Sequence, residues 1–305
     1  MLRAVLVTVA ALFLGACATS PEGRPQLVAP PALQGLSAVY SEFDMQLQLV
    51  TAANAAGCQE AECVADRTFD QRILAIGGRL ADAAFRQHAE LYLRFPRFEF
   101  VVVDKRDPGA ASSAAGSVVL FRGIRQLDLD DAALGFVLAR EMGHIIAGHH
   151  DENVTTSILV GIAAQILFPI LNLPALIGGG AATTAAASVT TSTVTTTAVA
   201  SAASFAGSRA LRASFRPQQV IEAEGMAMDL LAGAGWDGRE VAEQLQAIPP
   251  PLPDGPGWTE ELRESARRIA SLMQGPPMFD LVKTPAQIVP RSVADLPPPL
   301  ISVPF

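Results

Sequence analysis

Apolar residues recur at helical spacing between Asp70 and Leu93, at Ile73, Leu74, Ile76, Leu80, Ala84 and Phe85, and predict an amphipathic helix there. Residues 34–56 also read as helical. The pattern then changes period. Phe98 to Asp104 (FEFVVVD) and Ser117 to Phe121 (SVVLF) are rich in β-branched and aromatic residues and predict two strands. A turn around Asp107-Pro108-Gly109 lies between them. Asp130 or Asp131 caps the next helix, from about Ala132 to His149, with Leu134, Val137, Leu138, Met142 and Ile145 on its buried side. Helical patterning resumes from Pro217 to Ala234, restarts near Arg239, and covers Thr259 to Met273. Short strands among long helices predict an α+β fold: a small mixed sheet against mostly helical layers, with the 132–149 helix central.

The ends and the middle of the chain break this pattern. Arg3 precedes an apolar run, residues 4–14, too short to span a bilayer as a stable anchor, so residues 1–16 read as an export signal. Leu14-Gly15-Ala16-Cys17 resembles the bacterial lipobox, whose cysteine carries lipid; an ordinary secretory signal with a chance cysteine is the alternative. Pro21, Gly23, Pro25, Pro30 and Pro31 make residues 17–33 a tether from a lipidated Cys17 to a domain over residues 34–275. From Asn153 to Ser208 there is no charged residue. Residues 157–177 of this insertion read either as a membrane-facing hairpin or as a buried helical pair. Residues 276–305 form a Pro-rich tail.

Composition narrows the partners. Half of the residues are apolar, enough for a sizeable core, and the net charge is −8. Nucleic-acid binders need clustered Lys and Arg, so nucleic acid is excluded as a partner. With Cys17 lipidated, Cys58 and Cys63 are an even pair in an oxidising compartment: a local disulfide, or two free thiols on a helix. Lipidation and export together place the chain in the bacterial envelope, anchored in the membrane. Ala18, where an Asp often signals inner-membrane retention, points to the outer membrane, facing the periplasm.

The candidate chemistry lies in Arg-Glu-Met-Gly-His-Ile-Ile-Ala-Gly-His-His-Asp-Glu, residues 140–152. A histidine at 140 would make this His-Glu-x-x-His. In that motif the i and i+4 imidazoles share one helical face and bind one Zn²⁺, and the glutamate at i+1 acts as general base on the metal-bound water. Glu141 and His144 are present; the first ligand position holds Arg140. A third ligand must come from elsewhere, and Glu222 in Glu222-Ala-Glu224 is the candidate. Glu224 would support His144 from behind.

Residues 66–273 resemble, in order, the zinc metallopeptidase family of the HtpX heat-shock protease, the CAAX prenyl proteases and the BepA-type periplasmic proteases. A helix leads to FEFVVVD. A strand ending in Arg122-Gly123 resembles the family's edge strand. His149 and Glu152 fall where the family often has a further His and Glu. Glu222-Ala-Glu224 stands for Glu-Ala-Asp, and Ala234-Gly-Trp-Asp237 for Ala-Gly-Tyr-Asp. The resemblance implies a zinc cofactor, Glu141 as catalytic base, and His144 and Glu222 as metal ligands. It also implies that an extended polypeptide pairs with the strand at Gly116–Phe121.

The departures bear on activity. Arg140 has no lone pair to offer zinc and places a fixed positive charge where the cation would sit, so it is expected to pair with Glu222. Gly109-Ala110-Ala111 replaces Asn-Ala-Phe, Glu224 replaces Asp, and the usual His-Pro pair is absent. His149 and His150, five and six residues past His144, are the candidates for a substitute ligand; at a helix end they also read as solvated or capping groups. His88 reads as a surface residue. The expected function is an envelope protein derived from a metalloendopeptidase, with catalysis impaired by Arg140. An active zinc endopeptidase with rearranged ligands and a non-catalytic polypeptide-binding factor are the alternatives.

Overall fold

The computed structural model describes residues 17–28, 34–157, 216–249 and 257–274. The expectations for the export signal, for the charge-free stretch beyond residue 157 and for the Pro-rich tail lie outside them. Among the described residues, no helix is long and apolar enough to cross a membrane.

The fold is α+β and mostly helical. Helix α1 spans Gln34–Thr51 and helix α2 spans Glu60–Gln87. Glu60 and Glu62 in the first turn of α2 and Arg86 in its last turn complement the helix dipole. Its buried face is Phe69, Ile73, Ile76, Gly77, Leu80, Ala83 and Ala84. The helix therefore begins ten residues before the expected Asp70 and ends at Gln87, with His88 as its cap, after which Ala89–Leu93 tightens into a 3-10 turn. A disulfide joins Cys58 to Cys63, with Cα atoms 5.2 Å apart, across the start of α2.

Strands β3 (Glu99–Val103), β4 (Ala110–Ser112) and β5 (Ser117–Phe121) form one sheet in the order β3-β5-β4. β5 runs parallel to β3, pairing Val101 with Val119, and antiparallel to β4, pairing Ala111 with Val119. This corrects two expectations. The Asp107-Pro108-Gly109 turn leads into a third strand rather than straight to the second one. The strand at Ser117–Phe121 is central, not an edge, because Val118, Val119 and Leu120 are buried between layers and pair on both sides. The edge beside the motif helix is β4, in the segment whose sequence departs from Asn-Ala-Phe.

Helix α3 spans Asp131–Ile146, and Asp130 caps it by accepting a hydrogen bond from the Ala133 amide at 2.8 Å. It is buried nearly all round, at the centre of the main core, with Phe136, Leu138, Met142 and Ile145 fully enclosed. Gly148, at φ +71°, takes the left-handed turn that ends the helix, and a second helical run, 149–157, starts at once in a new direction. Residues 216–233 form helix α5, counting the 149–157 run as α4. Helices α6 (Gly238–Ala247) and α7 (Gly257–Gln274) complete the domain. A Cβ at Gly143 would lie 2.5 Å from the Ala223 carbonyl oxygen, so α3 and α5 touch backbone to backbone there. That close approach brings the motif helix against Glu222 and Glu224.

The N-terminal segment expected as a tether is built into the fold over residues 17–28. β1 (Cys17–Thr19) and β2 (Pro25–Leu27) pair antiparallel as a hairpin, with Thr19 opposite Pro25.

Candidate active site

The site lies where β4, α3, α4, α5 and the hairpin meet. Glu141 is buried, and the Ser112 hydroxyl on β4 donates to its Oε2 at 2.8 Å. The same hydroxyl lies 3.1 Å from His150 Nε2. Burial pushes the Glu141 carboxyl above the usual range, against the opposing pull of Arg140 and of the Ser112 hydrogen bond. Burial, with the positive charges of its neighbours, holds His144 well below the usual histidine range and His150 down to about 3.

His144 and Glu222 are linked through a third residue. His144 Nδ1 lies 2.9 Å from His149 Nδ1, and His149 Nε2 lies 3.1 Å from Glu222 Oε2. The rings of His144 and His149 meet edge to face at 4.9 Å. A carboxylate only accepts, so His149 Nε2 carries a proton, and the contact between the two Nδ1 atoms uses a further proton from one ring. His149 is 1% exposed. It is neither solvated nor a cap: the break at Gly148 swings it around to the His144 side, which a straight helix would not do.

The partner of Glu222 is not the expected one. Arg24, from the hairpin, donates from Nε to Glu222 Oε2 at 2.9 Å. Its Nη1 and Nη2 grip Glu152 at 2.9 and 2.8 Å, and Gln219 donates to the same carboxylate at 2.8 Å. Burial alone would raise Glu222, but hydrogen bonds from His149, Ser20 and Arg24 outweigh it and hold the group at about 2. Glu222 Oε1 is buried without a hydrogen-bond partner.

Arg140 does not pair with Glu222. It is 3% exposed and, among the described residues, comes no closer to a carboxylate than 4.0 Å, from Nη2 to Glu141 Oε1. Its Nε and Nη1 are buried without hydrogen-bond partners, and its Cζ lies 5.8 Å from the centre of the Trp258 ring. Glu224 does not support His144 either. It faces α7, where Arg268 forks onto both oxygens at 2.7 and 2.8 Å and Ser265 donates at 2.5 Å. Residues 222 and 224 are separated by about 200° of helical turn, so they serve opposite sides of α5.

The side chains present do not fit a His/His/Glu zinc centre in this arrangement. Arg140 offers no lone pair, both ring nitrogens of His149 are engaged, His150 Nε2 faces Ser112, and the Glu222 oxygen nearest the histidine is held by Arg24. Among the described residues no three His, Cys, Asp or Glu side chains are placed to hold a metal ion. Sequence reading missed Ser112 and Arg24. Ser112 is two residues from the Ala110 of the altered loop, so that loop was the available signal; Arg24 gave none, being 198 residues from Glu222.

No curated protein and no solved structure matches the chain. The profile described as Peptidase family M48 matches residues 70–278, from α2 through α7, and so covers every helix and strand of this site except the hairpin. The chain belongs to peptidase family M48, whose members are generally zinc-dependent.

Proposed function

We propose that this chain is an envelope lipoprotein built on a zinc metalloendopeptidase scaffold of the HtpX, CAAX and BepA type, with its catalysis disabled. The observation that carries this reading is Arg140, a cation with no lone pair, buried at the first-ligand position of an otherwise recognisable motif helix. In a working member zinc would polarise the scissile carbonyl and Glu141 would take the proton of the attacking water. Here the Glu141 carboxyl already accepts a hydrogen bond from the Ser112 hydroxyl, so one of its oxygens is engaged. The polypeptide-binding part of the reading is supported by β4, which lies at the edge of the sheet beside α3, the kind of strand to which an extended peptide can add. Lipid on Cys17 would hold it at the outer membrane, facing the periplasm.

The test is the zinc content of the purified full chain beside Arg140→His, with hydrolysis of an unfolded polypeptide as second readout. The wild type is expected to stay largely metal-free and inactive, and the variant to gain zinc, toward about one ion per chain. Stoichiometric zinc in the wild type would overturn the proposal and favour an active peptidase using His149 as a substitute ligand. Incorporation of labelled palmitate, lost in Cys17→Ala, tests the anchor.

A further inference from the structure

The arrangement around Glu222 poses a problem that Arg140 does not solve. Glu152 and Glu222 are 3% exposed each, and His149, which touches Glu222, is 1% exposed. Two carboxylates taken out of water need a cation or a proton. In the zinc peptidases that this chain resembles, the cation at the Glu222 position is a metal; here the ligand set does not fit one.

We propose that a guanidinium, that of Arg24, is the resident cation of this site, delivered within the same chain by the N-terminal hairpin. Three features carry it. The fork of Arg24 is used in full: Nε on Glu222, and both Nη atoms on Glu152 at 2.9 and 2.8 Å. This is the planar bidentate geometry that suits guanidinium and not ammonium. The delivering element is shaped for the task, because the tight turn between β1 and β2 closes on itself through Arg24 N to Ser20 Oγ at 3.1 Å and Ser20 N to Arg24 O at 2.8 Å. Gln26, on the same hairpin, adds a contact to Arg24 Nη2 at 3.5 Å. Finally, Arg24 lies before the region matched by the family profile, so the cation comes from outside the shared scaffold.

The consequence is a pocket specific for a planar cation, filled in cis and closing the remnant site against metal. The inference rests on reading Glu222 as the remnant of the metal ligand, and its test is separable from that of the proposed function. The probes are guanidinium chloride at low millimolar concentration, against equal sodium chloride, and zinc chloride. Both are added to the purified wild-type chain and to Arg24→Ala. Arg24→Ala is expected to lower Tm by about 10 °C, the size of losing one partner of a buried pair in a domain of this length. Guanidinium is expected to restore about half of that loss in Arg24→Ala and nothing in wild type; zinc is expected to restore less, because Arg140 still withholds a ligand. Arg24→Ala/Glu222→Gln should lose the guanidinium response.

An unchanged Tm in Arg24→Ala, a loss that guanidinium does not restore, or one that zinc restores equally well, overturns the inference. If Arg24→Ala does not fold alone, refolding with guanidinium present reads the same question: recovery supports it and no recovery overturns it. Metal-free wild type with no rescue of Arg24→Ala removes this inference and leaves the disabled scaffold standing. Stoichiometric zinc in wild type removes both.

Discussion

Two arginines enter the site from different regions of the chain, and they have opposite surroundings. Arg24, on a hairpin near the N-terminus, pairs with two buried carboxylates through its full fork. Arg140, in the middle of the motif helix, is more deeply buried yet leaves Nε and Nη1 without partners. The residue that attracts attention in the motif is thus not the one that replaces the cation's charge. A buried cation stabilises only where its donors meet acceptors. Where they do not, the desolvation cost stands uncompensated. In the proposed reading Arg140 denies zinc its first ligand, and Arg24 completes the electrostatics of what is left.

The largest effect expected from this contrast is on Arg24. Arg24→Met should destabilise the fold by about 3–5 kcal/mol, because Glu152 and Glu222 remain buried without their counter-charge; denaturant unfolding measures it. Arg140→Met should act in the opposite direction, stabilising by about 1–3 kcal/mol, because an apolar side chain of similar length removes an incompletely paired charge. Equal losses in the two variants would erase the distinction between the arginines.

The pH dependence sharpens the contrast further. His150 is held neutral down to about 3, while the unfolded chain takes up a proton near the ordinary value of 6.5. The unfolded state therefore binds more protons between those values. Stability should fall as pH drops from about 6.5 toward 3, by up to about 1.4 kcal/mol per pH unit from this one group. Glu222 adds a loss of the same sign lower down. Its folded value, about 2, is depressed from 4.5, so its contribution is complete above 4.5 and disappears as pH falls through 2. Urea midpoints across this range should decline less steeply between pH 6.5 and 4.5 in His150→Gln. The smallest expected effect is Ser112→Ala, about 1 kcal/mol, from loss of the hydroxyl that donates to Glu141. It should leave the zinc content of Arg140→His unchanged, since Ser112 touches neither His144 nor Glu222 by hydrogen bond.

Much of the scaffold was legible in the chain because its signals are local. The β-branched runs marked β3 and β5, Asp130 announced the cap of α3, and the apolar spacing of Ile73, Ile76 and Leu80 marked the core face of α2. β4 was not expected because Ala110-Ala111-Ser112 has neither the length nor the β-branched content of a strand; its pairing with β5 makes it one. In the site, Glu141, His144 and Glu222 could be nominated from spacing and resemblance, while their partners could not. Glu224 was placed behind His144 by analogy, yet two residues along a helix from Glu222 it points to α7 and meets Arg268.

By itself the sequence determined the helical scaffold, the central motif helix, the presence of Glu141 and His144 on it, and an arginine, which has no lone pair for a metal, at position 140. These follow from side-chain chemistry and from periods of two and 3.6 residues, which neighbours in the chain express without help. Only the tertiary structure decided who neutralises whom. The backbone contact at Gly143 and Ala223, the reversal at Gly148 that turns His149 inward, and the hairpin that carries Arg24 to Glu222 all join residues far apart in the chain. Hydrogen bonds and ion pairs act over a few ångströms in space and carry no signature along the sequence.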